Sequence, residues 1–202
     1  MLFLSRSRVC PARLGILPGS FNPPTRAHLA LAEAALTEVD EVALVLPRTF
    51  PHKNYAGADF GQRTTMLRAS VDGQPRLSAV TSDGGLFLEI AQECRAAYGA
   101  GVRLAFVCGR DAAERVVAWD YGDPQALDRM LEDFCLLVAS RQGAYEAPAR
   151  WSDRIRPLRV GQDLSHVSAS DVRRRIREGA PWEHLVPAAI VPMVREIYRP
   201  AV

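Results

Sequence analysis

The sequence predicts an α/β fold, a parallel sheet with helices on both faces. Five short runs are apolar almost throughout: "RLGIL" (13–17), "EVALVLP" (41–47), "RLSAV" (76–80), "RLAFVCG" (103–109) and "FCLLVAS" (134–140). Stretches of helical pattern separate them, and strands buried on both faces read as continuous apolar runs rather than alternating ones. The chain has 202 residues, a length suited to one domain that buries roughly 70% of its unfolded surface. The expectation is therefore a single domain over residues 1–202 with a small helical portion at its C-terminal end.

The elements follow in order. Residues 1–12 carry basic residues after apolar ones, the wrong order for a secretory signal. They read as a frayed terminus, with a short organelle-targeting extension as the alternative. The first strand at 13–17 leads into a helical pattern over 25–38, and the second at 41–47 into the loop-like "PRTFPHKNYAGA". A helix follows over 59–72, then the third strand at 76–80, a helix over 85–99, the fourth strand at 103–109, a short helix over 111–118 and the fifth strand at 134–140. Residues 141–157 show no period and read as an exposed connection. Two helices within 163–202 close the chain.

Composition excludes several classes. Hydrophobic residues make up 48% and charged residues 24%, ordinary values for a soluble globular protein. A net charge of +2 gives no reason to expect nucleic acid or a membrane surface as a partner. No apolar run reaches the ~18 residues of a membrane span. Cys10, Cys94, Cys108 and Cys135 form no CxxC pair, so a zinc site is not expected. Three of them lie in apolar runs as reduced thiols, which fits a reducing, cytoplasmic compartment. There are 24 arginines and a single lysine, Lys53. Homo-oligomerisation stays open.

In an open parallel sheet, ligands bind beyond the carboxyl ends of the strands. The segments there are "PGSFNPPTRAH", "PRTFPHK", "TSDGGLF" and "GRDAAERVVAW". In the first, Gly19 allows close approach of backbone to a ligand. A helix starting near Pro24 or Thr25 aims free N–H groups at the same place, a ready anion site. Thr25 and His28 are three apart and share a face, so the imidazole can donate to a phosphate oxygen. The plain alternative is a strand-to-helix turn with Thr25 near the cap. In "HVSASDVRRRI" the Ser168–Asp171 spacing is that of a capping box, Gly179 suits the helix stop, and Ser168, Ser170 and Arg173 gather at the helix mouth. An ordinary capped surface helix is the alternative there. Lys53 is either a phosphate partner or a solvated loop cation. Asp111 follows Gly109 where it can cap a helix. Trp119 either stacks on a flat heterocycle or fills the core.

"GSFNPPTRAHL" resembles the signature of the (His/Thr)-x-x-His nucleotidyltransferases, and it is similar above all to the nicotinate-nucleotide adenylyltransferases. "PHK" (51–53), "GRDAAERVVAW" (109–119), "VSASDVRRRI" (167–176) and "LVPAAIVPMVREIYR" resemble further motifs of that family in the same order. The resemblance implies a Rossmann-like nucleotidyltransferase fold and adenylyl transfer from ATP, with Mg²⁺, to nicotinate mononucleotide. It implies ATP contacts at Gly19, Ser20, Phe21, Thr25, His28, Gly109, Asp111, Ser168, Ser170 and Arg173. Acceptor contacts fall at Asn22, Lys53 and Trp119, and catalytic roles at His28, Lys53 and Arg173. With no carboxylate cluster in the sequence, the metal is expected on the phosphates rather than on the protein. "TSDGGLF" lacks the Ser-Tyr-Thr run with which the family usually holds the pyridine carboxylate. The backbone N–H groups of its glycine-rich helix start are the expected substitute. Other acceptors (nicotinamide mononucleotide or phosphopantetheine) and a non-catalytic nucleotide-binding protein are the alternatives.

Overall fold

The computed structural model describes residues 1–49, 57–139, 145–161, 164 and 166–199. In chain order the elements are β1 (Leu2–Ser5), β2 (Arg13–Pro18), α1 (Arg26–Ala35), β3 (Glu41–Pro47), α2 (Phe60–Val71), β4 (Leu77–Ser82), α3 (Phe87–Tyr98), β5 (Arg103–Gly109), α4 (Arg110–Ala118), α5 (Ala126–Asp133), β6 (Phe134–Ala139), β7 (Ile155–Leu158), α6 (Ala169–Glu178) and α7 (Val191–Ile197). The seven strands form one sheet in the order β1-β4-β3-β2-β5-β6-β7. All neighbours are parallel except β1, which runs antiparallel to β4.

The five predicted strands lie where the apolar runs place them, and their alternation sorts side chains onto two faces. Leu14 and Ile16 of β2 with Ala43 and Val45 of β3 point into one layer, which α3, α4 and α5 complete. Leu17 with Val42, Leu44 and Leu46 point into the other, against α1 and α2. Phe106 anchors the first layer, stacked on Phe87 at 4.3 Å between centroids and edge-on to Phe134 at 4.7 Å. A third cluster, with Val172 of α6 and Ile190 and Val194 of the C-terminal segment, packs on Ala27 of α1 and Met66 of α2. That contact brings the last helices back to the first turn of the fold.

Three elements depart from expectation. The N-terminal residues are not frayed: Leu2–Ser5 cover the outer edge of β4, which would otherwise present unpaired backbone groups. Phe3 packs on Tyr98 at 5.4 Å, and the Ser7 N–H donates to Ser78 Oγ at 2.8 Å. Within the stretch read as an exposed connection, Ile155–Leu158 add the far edge strand, with Pro157 where an edge tolerates it. Trp151, from the same stretch, is buried in the first layer and donates from Nε1 to Asp128 at 2.6 Å. Helix α5 was not anticipated. It is eight residues long and buries Leu127, Met130 and Leu131, an i, i+3, i+4 set too short to announce a period.

The sheet positions the site. The chain leaves β2 for β3 and β4 on one side, then returns to β5 on the other side of β2. Connections therefore diverge at the carboxyl ends of β2 and β5, where this class of sheet opens a crevice. Gly19 and Gly109 stand at those two ends. No helix among the described residues is long and apolar enough to cross a membrane.

Cys94 and Cys108 are buried in the first layer, and burial pushes both thiols up to about 12. At pH 8 they stay protonated, and thiols react as thiolates. Alkylation of the native protein at pH 8, read by mass spectrometry, is expected to modify exposed Cys10 and to spare Cys94 and Cys108 until denaturant is added. Equal modification of Cys94 and Cys10 in native buffer would contradict this packing.

Candidate active site

The turn between β2 and α1 is built backbone first. The Gly19 N–H donates to the Val45 carbonyl at 3.0 Å, pinning the turn to β3. Phe21 follows with φ +45°, a left-handed conformation that costs an ordinary residue about 1–2 kcal/mol. Its ring is fully buried, which offsets that cost by removing a large apolar surface from water. The ring lies under Gly19, where an added Cβ would come within 3.0 Å of it. It also lies against the His28 imidazole at 5.1 Å. A side chain at Gly19 would therefore crowd the Phe21 ring. Phe21 itself has no surface for ATP and acts as the floor of the turn, which corrects its expected role as a contact.

Thr25 is the N-cap of α1, with φ −126° and ψ 163°. It too is fully buried, and its polar groups serve His28. The Thr25 N–H donates to His28 Nδ1 at 3.0 Å, with Thr25 Oγ1 2.8 Å from the same nitrogen. An Nδ1 that accepts a hydrogen bond leaves the proton of the neutral ring on Nε2. His28 thus holds an N–H donor at the far side of a half-buried ring. No acidic side chain lies in the first turn of α1, so nothing there opposes an anion.

Asn22 was expected to contact the acceptor. It is 3% exposed, and its Oδ1 accepts from the Ala58 N–H at 3.2 Å and from the Tyr198 hydroxyl. Its side chain ties the turn to the rest of the fold. Ser20 is half-buried, and its carbonyl accepts from Arg63 Nη1 at 3.3 Å.

Helix α6 arrives beside this turn. Ser168 is its N-cap, accepting from the Asp171 N–H at 3.0 Å, and Gly179 ends it at φ +67°. The Asp171 carboxylate bonds Arg175 Nε at 2.8 Å and Arg174, and these hydrogen bonds hold its pKa below the usual carboxylate range. Arg173 turns the other way. It donates to the Asn22 carbonyl and, at 3.3 Å, to Ser170 Oγ. Sequence positions 22 and 173 are thereby joined, and the mouths of α1 and α6 face one region with an imidazole, two hydroxyls and a guanidinium.

At the end of β5, Gly109 is the N-cap of α4, and an added Cβ there would meet no atom within 4 Å. Asp111 lies exposed in the first turn and makes no capping bond, which corrects the expectation of a cap. Trp119, just past α4, is 55% exposed and is not a core residue. It lines a cleft of about 480 Å³ with Tyr121, Arg150 and Trp151, and no residue of the His28 turn or of α6 lines that cleft. Lys53, with His52, lies outside the described residues.

The loop after β4 also differs from expectation. Its backbone donors are already taken. The N–H groups of Asp83 and Gly84 donate to Glu93 at 3.0 and 2.9 Å, and those of Gly85 and Leu86 to Glu89 Oε2 at 2.9 Å each. Two protein carboxylates fill the nest foreseen for a ligand carboxylate.

Sequence reasoning passed over Arg63 and Tyr198. Arg63 carries a signal: it shares with Met66 and Leu67 the i, i+3, i+4 face of α2, and all three are buried. Tyr198 carries none, because its partner is distant in sequence.

The His28 geometry fixes an observable. With Nδ1 accepting from Thr25, the neutral imidazole is expected to be the Nε2–H tautomer. ¹⁵N NMR of the four histidines, with His28→Ala supplying the assignment, reads this directly, and a neutral His28 protonated on Nδ1 would contradict the geometry.

The sequence profile of the cytidylyltransferase-like family matches residues 16–175. A Bordetella petrii protein named "Probable nicotinate-nucleotide adenylyltransferase" is 32% identical over 88% of this chain and 93% of its own length. A Moorella thermoacetica protein of the same name is 28% identical over 94% of this chain and 93% of its own. Among solved structures, Plasmodium falciparum nicotinic acid mononucleotide adenylyltransferase complexed with NaAD shares the fold. Its TM-score is 0.68 at 14% identity, covering 92% of this chain and 97% of that one.

Proposed function

The chain belongs to the cytidylyltransferase-like family, among its nicotinate-nucleotide adenylyltransferases, and from this we propose that it transfers the adenylyl group of ATP to nicotinate mononucleotide. A phosphate oxygen of the mononucleotide attacks the α-phosphorus, the bond from α-phosphorus to the bridging oxygen breaks, and pyrophosphate leaves. The products are nicotinate adenine dinucleotide and pyrophosphate. The observation that carries the reading is the convergence of the α1 and α6 mouths, joined through Arg173 and Asn22, with the His28 imidazole oriented through Nδ1 by Thr25.

In this reading the protein supplies position and charge rather than a covalent intermediate. His28 donates to the α-phosphate as negative charge builds on it. Ser168, Ser170 and the α6 mouth hold the β- and γ-phosphates, and Arg173 neutralises them. Ser20 and Gly109 lie where the nucleotide crosses the crevice. In this reading Asp111 meets the ribose hydroxyls, and phosphate is the partner proposed for Lys53 from the sequence. Magnesium enters with ATP as part of the substrate. Phosphate oxygens would hold it in this reading, where it would offset charge on the transferred and leaving phosphates. Trp119 supplies the acceptor with an exposed indole face, which requires the α4–α5 connection to approach the crevice. Recognition of the pyridine carboxylate through residues 83–86 requires it to replace Glu89 at Gly85 and Leu86, one carboxylate for another.

His28→Ala is expected to fold and to lose roughly 10²–10³ in kcat, the usual cost of one transition-state donor, with a smaller change in ATP affinity by calorimetry. A variant within threefold of wild type in kcat would remove His28 from the chemistry.

The acceptor is tested by pyrophosphate release with ATP and Mg²⁺ on the two pyridine mononucleotides. Exchange at Glu89 favours an acid over an amide, since the amide cannot replace an accepting carboxylate in kind. The kcat/KM ratio is expected to favour nicotinate mononucleotide at least tenfold. A ratio near one would mean that the loop keeps its glutamates and does not read the acceptor's charge.

A further inference from the structure

We propose that Tyr198, together with Arg63, is a positioning residue for adenylyl transfer. Its phenol reaches from the end of α7 to the buried amide of Asn22 and holds the turn that sets the His28 imidazole. The inference rests on the reading of His28 as the donor to the α-phosphate, and it goes beyond it by assigning a role to the C-terminal helix.

Three segments far apart in sequence, residues 58–63, α6 and the end of α7, converge on two residues of the turn, Ser20 and Asn22. Arg63 of α2 donates to the Ser20 carbonyl at 3.3 Å, Arg173 of α6 donates to the Asn22 carbonyl, and both the Ala58 N–H and the Tyr198 hydroxyl donate to Asn22 Oδ1. Asn22 is too buried to meet a substrate, so its amide serves these internal bonds. Losing one donor would leave a buried acceptor undersatisfied and free to seek another geometry. The turn has little slack. Gly57, at φ +114°, packs so closely that an added Cβ would lie 3.0 Å from Asn22 Oδ1 and 3.1 Å from the Tyr198 ring. Burial raises the Tyr198 phenol above its ordinary value, while Arg173 and Arg63 both pull it down. Each guanidinium is thus near enough for its charge to be felt at the hydroxyl. Thr25 and the His28 it orients follow Asn22 by three and six residues, across two buried prolines. A displacement at Asn22 is passed to the imidazole rather than absorbed by flexible chain.

Tyr198→Phe tests this, because it keeps the ring in the third cluster and removes only the hydroxyl. Arg63→Lys is the second variant, keeping the charge but losing the fork that reaches Ser20. Four quantities are read: kcat, KM for each substrate, the thermal midpoint, and the His28 ring signals in NMR without substrate. Misplaced catalytic groups lose rate rather than binding. The expected result for Tyr198→Phe is therefore a fall in kcat of about 5–20-fold, KM for nicotinate mononucleotide within twofold, and shifted His28 signals, with a smaller change of the same kind in Arg63→Lys. Wild-type kcat with unmoved His28 signals overturns the proposal, whatever the thermal midpoint does. A fall in kcat with unmoved His28 signals overturns it too. Should the wild-type protein release no pyrophosphate with nicotinate mononucleotide, the adenylyl-transfer reading fails on its own. The His28 signals of the Tyr198→Phe protein then decide the positioning: a shift supports it and none overturns it.

Discussion

The hydrogen bond from the Thr25 N–H to His28 Nδ1 is the contact on which the rim depends. It uses one of the backbone donors that any helix N-terminus leaves unsatisfied. It also orients the ring and settles which nitrogen carries the proton. The other requirements of the turn follow from keeping that bond in place. The ring needs a floor, so Phe21 accepts a left-handed backbone. The floor needs room, so Gly19 carries no side chain. The N-cap must sit at a fixed height above the sheet, so Gly19 is tied to Val45 and Asn22 to Ala58 and Tyr198.

Helix dipoles alone do not decide where an anion binds at this rim, because several helices start there. The acids in and beside their first turns decide it. Helix α1 has none. Helix α6 has Asp171, but Arg174 and Arg175 engage it within the same helix, so Arg173 keeps its charge for the crevice. Helix α3 is the opposite case. Glu89 lies in its first turn and, with Glu93, takes the N–H groups of residues 83–86, so its positive end is already answered from within. A net charge of +2 says nothing of this. Local pairing leaves two helix mouths without an opposing acid and gives the third a carboxylate of its own, which a ligand there would have to replace.

The strands were legible because contiguous apolar runs have few other uses in a chain of this composition. The edges were not. β1 and β7 each have four residues; one was hidden among terminal basic residues, the other interrupted by Arg156 and Pro157. An edge strand needs only one partner and little apolar content, so it leaves a weak trace. Spacing singled out 19–28 and 168–173, and Arg173 joins the two stretches at Asn22, but spacing cannot show which way a side chain points. Phe21, Asn22 and Thr25 therefore passed for ligand contacts when their work is internal. Arg63 could have been found, since an arginine on the apolar face of a helix with Met66 and Leu67 calls for a buried acceptor. The closing of the 83–86 nest by Glu89 and Glu93 was also open to reading, from acids four and ten residues beyond Gly85 and Asp83 on a helix that follows the loop.

The division of labour in the turn bears on why so long a motif surrounds one reactive group. Of the residues from Gly19 to His28, Phe21 and Thr25 have no exposed surface and Asn22 has 3%. The side chains proposed to meet the ligand are few: the imidazole, the hydroxyls of Ser168 and Ser170, and the guanidinium of Arg173. A donor aimed in advance stabilises developing charge without reorganising during the reaction, and that aim has to be built from rigid, satisfied parts around it. The buried residues are those parts. Arg173 belongs to both groups, since the guanidinium proposed to meet phosphate also bonds the carbonyl of Asn22. An anion drawing on Arg173 would pull on the same turn that aims His28, so binding at the α6 mouth and alignment at α1 are mechanically one event.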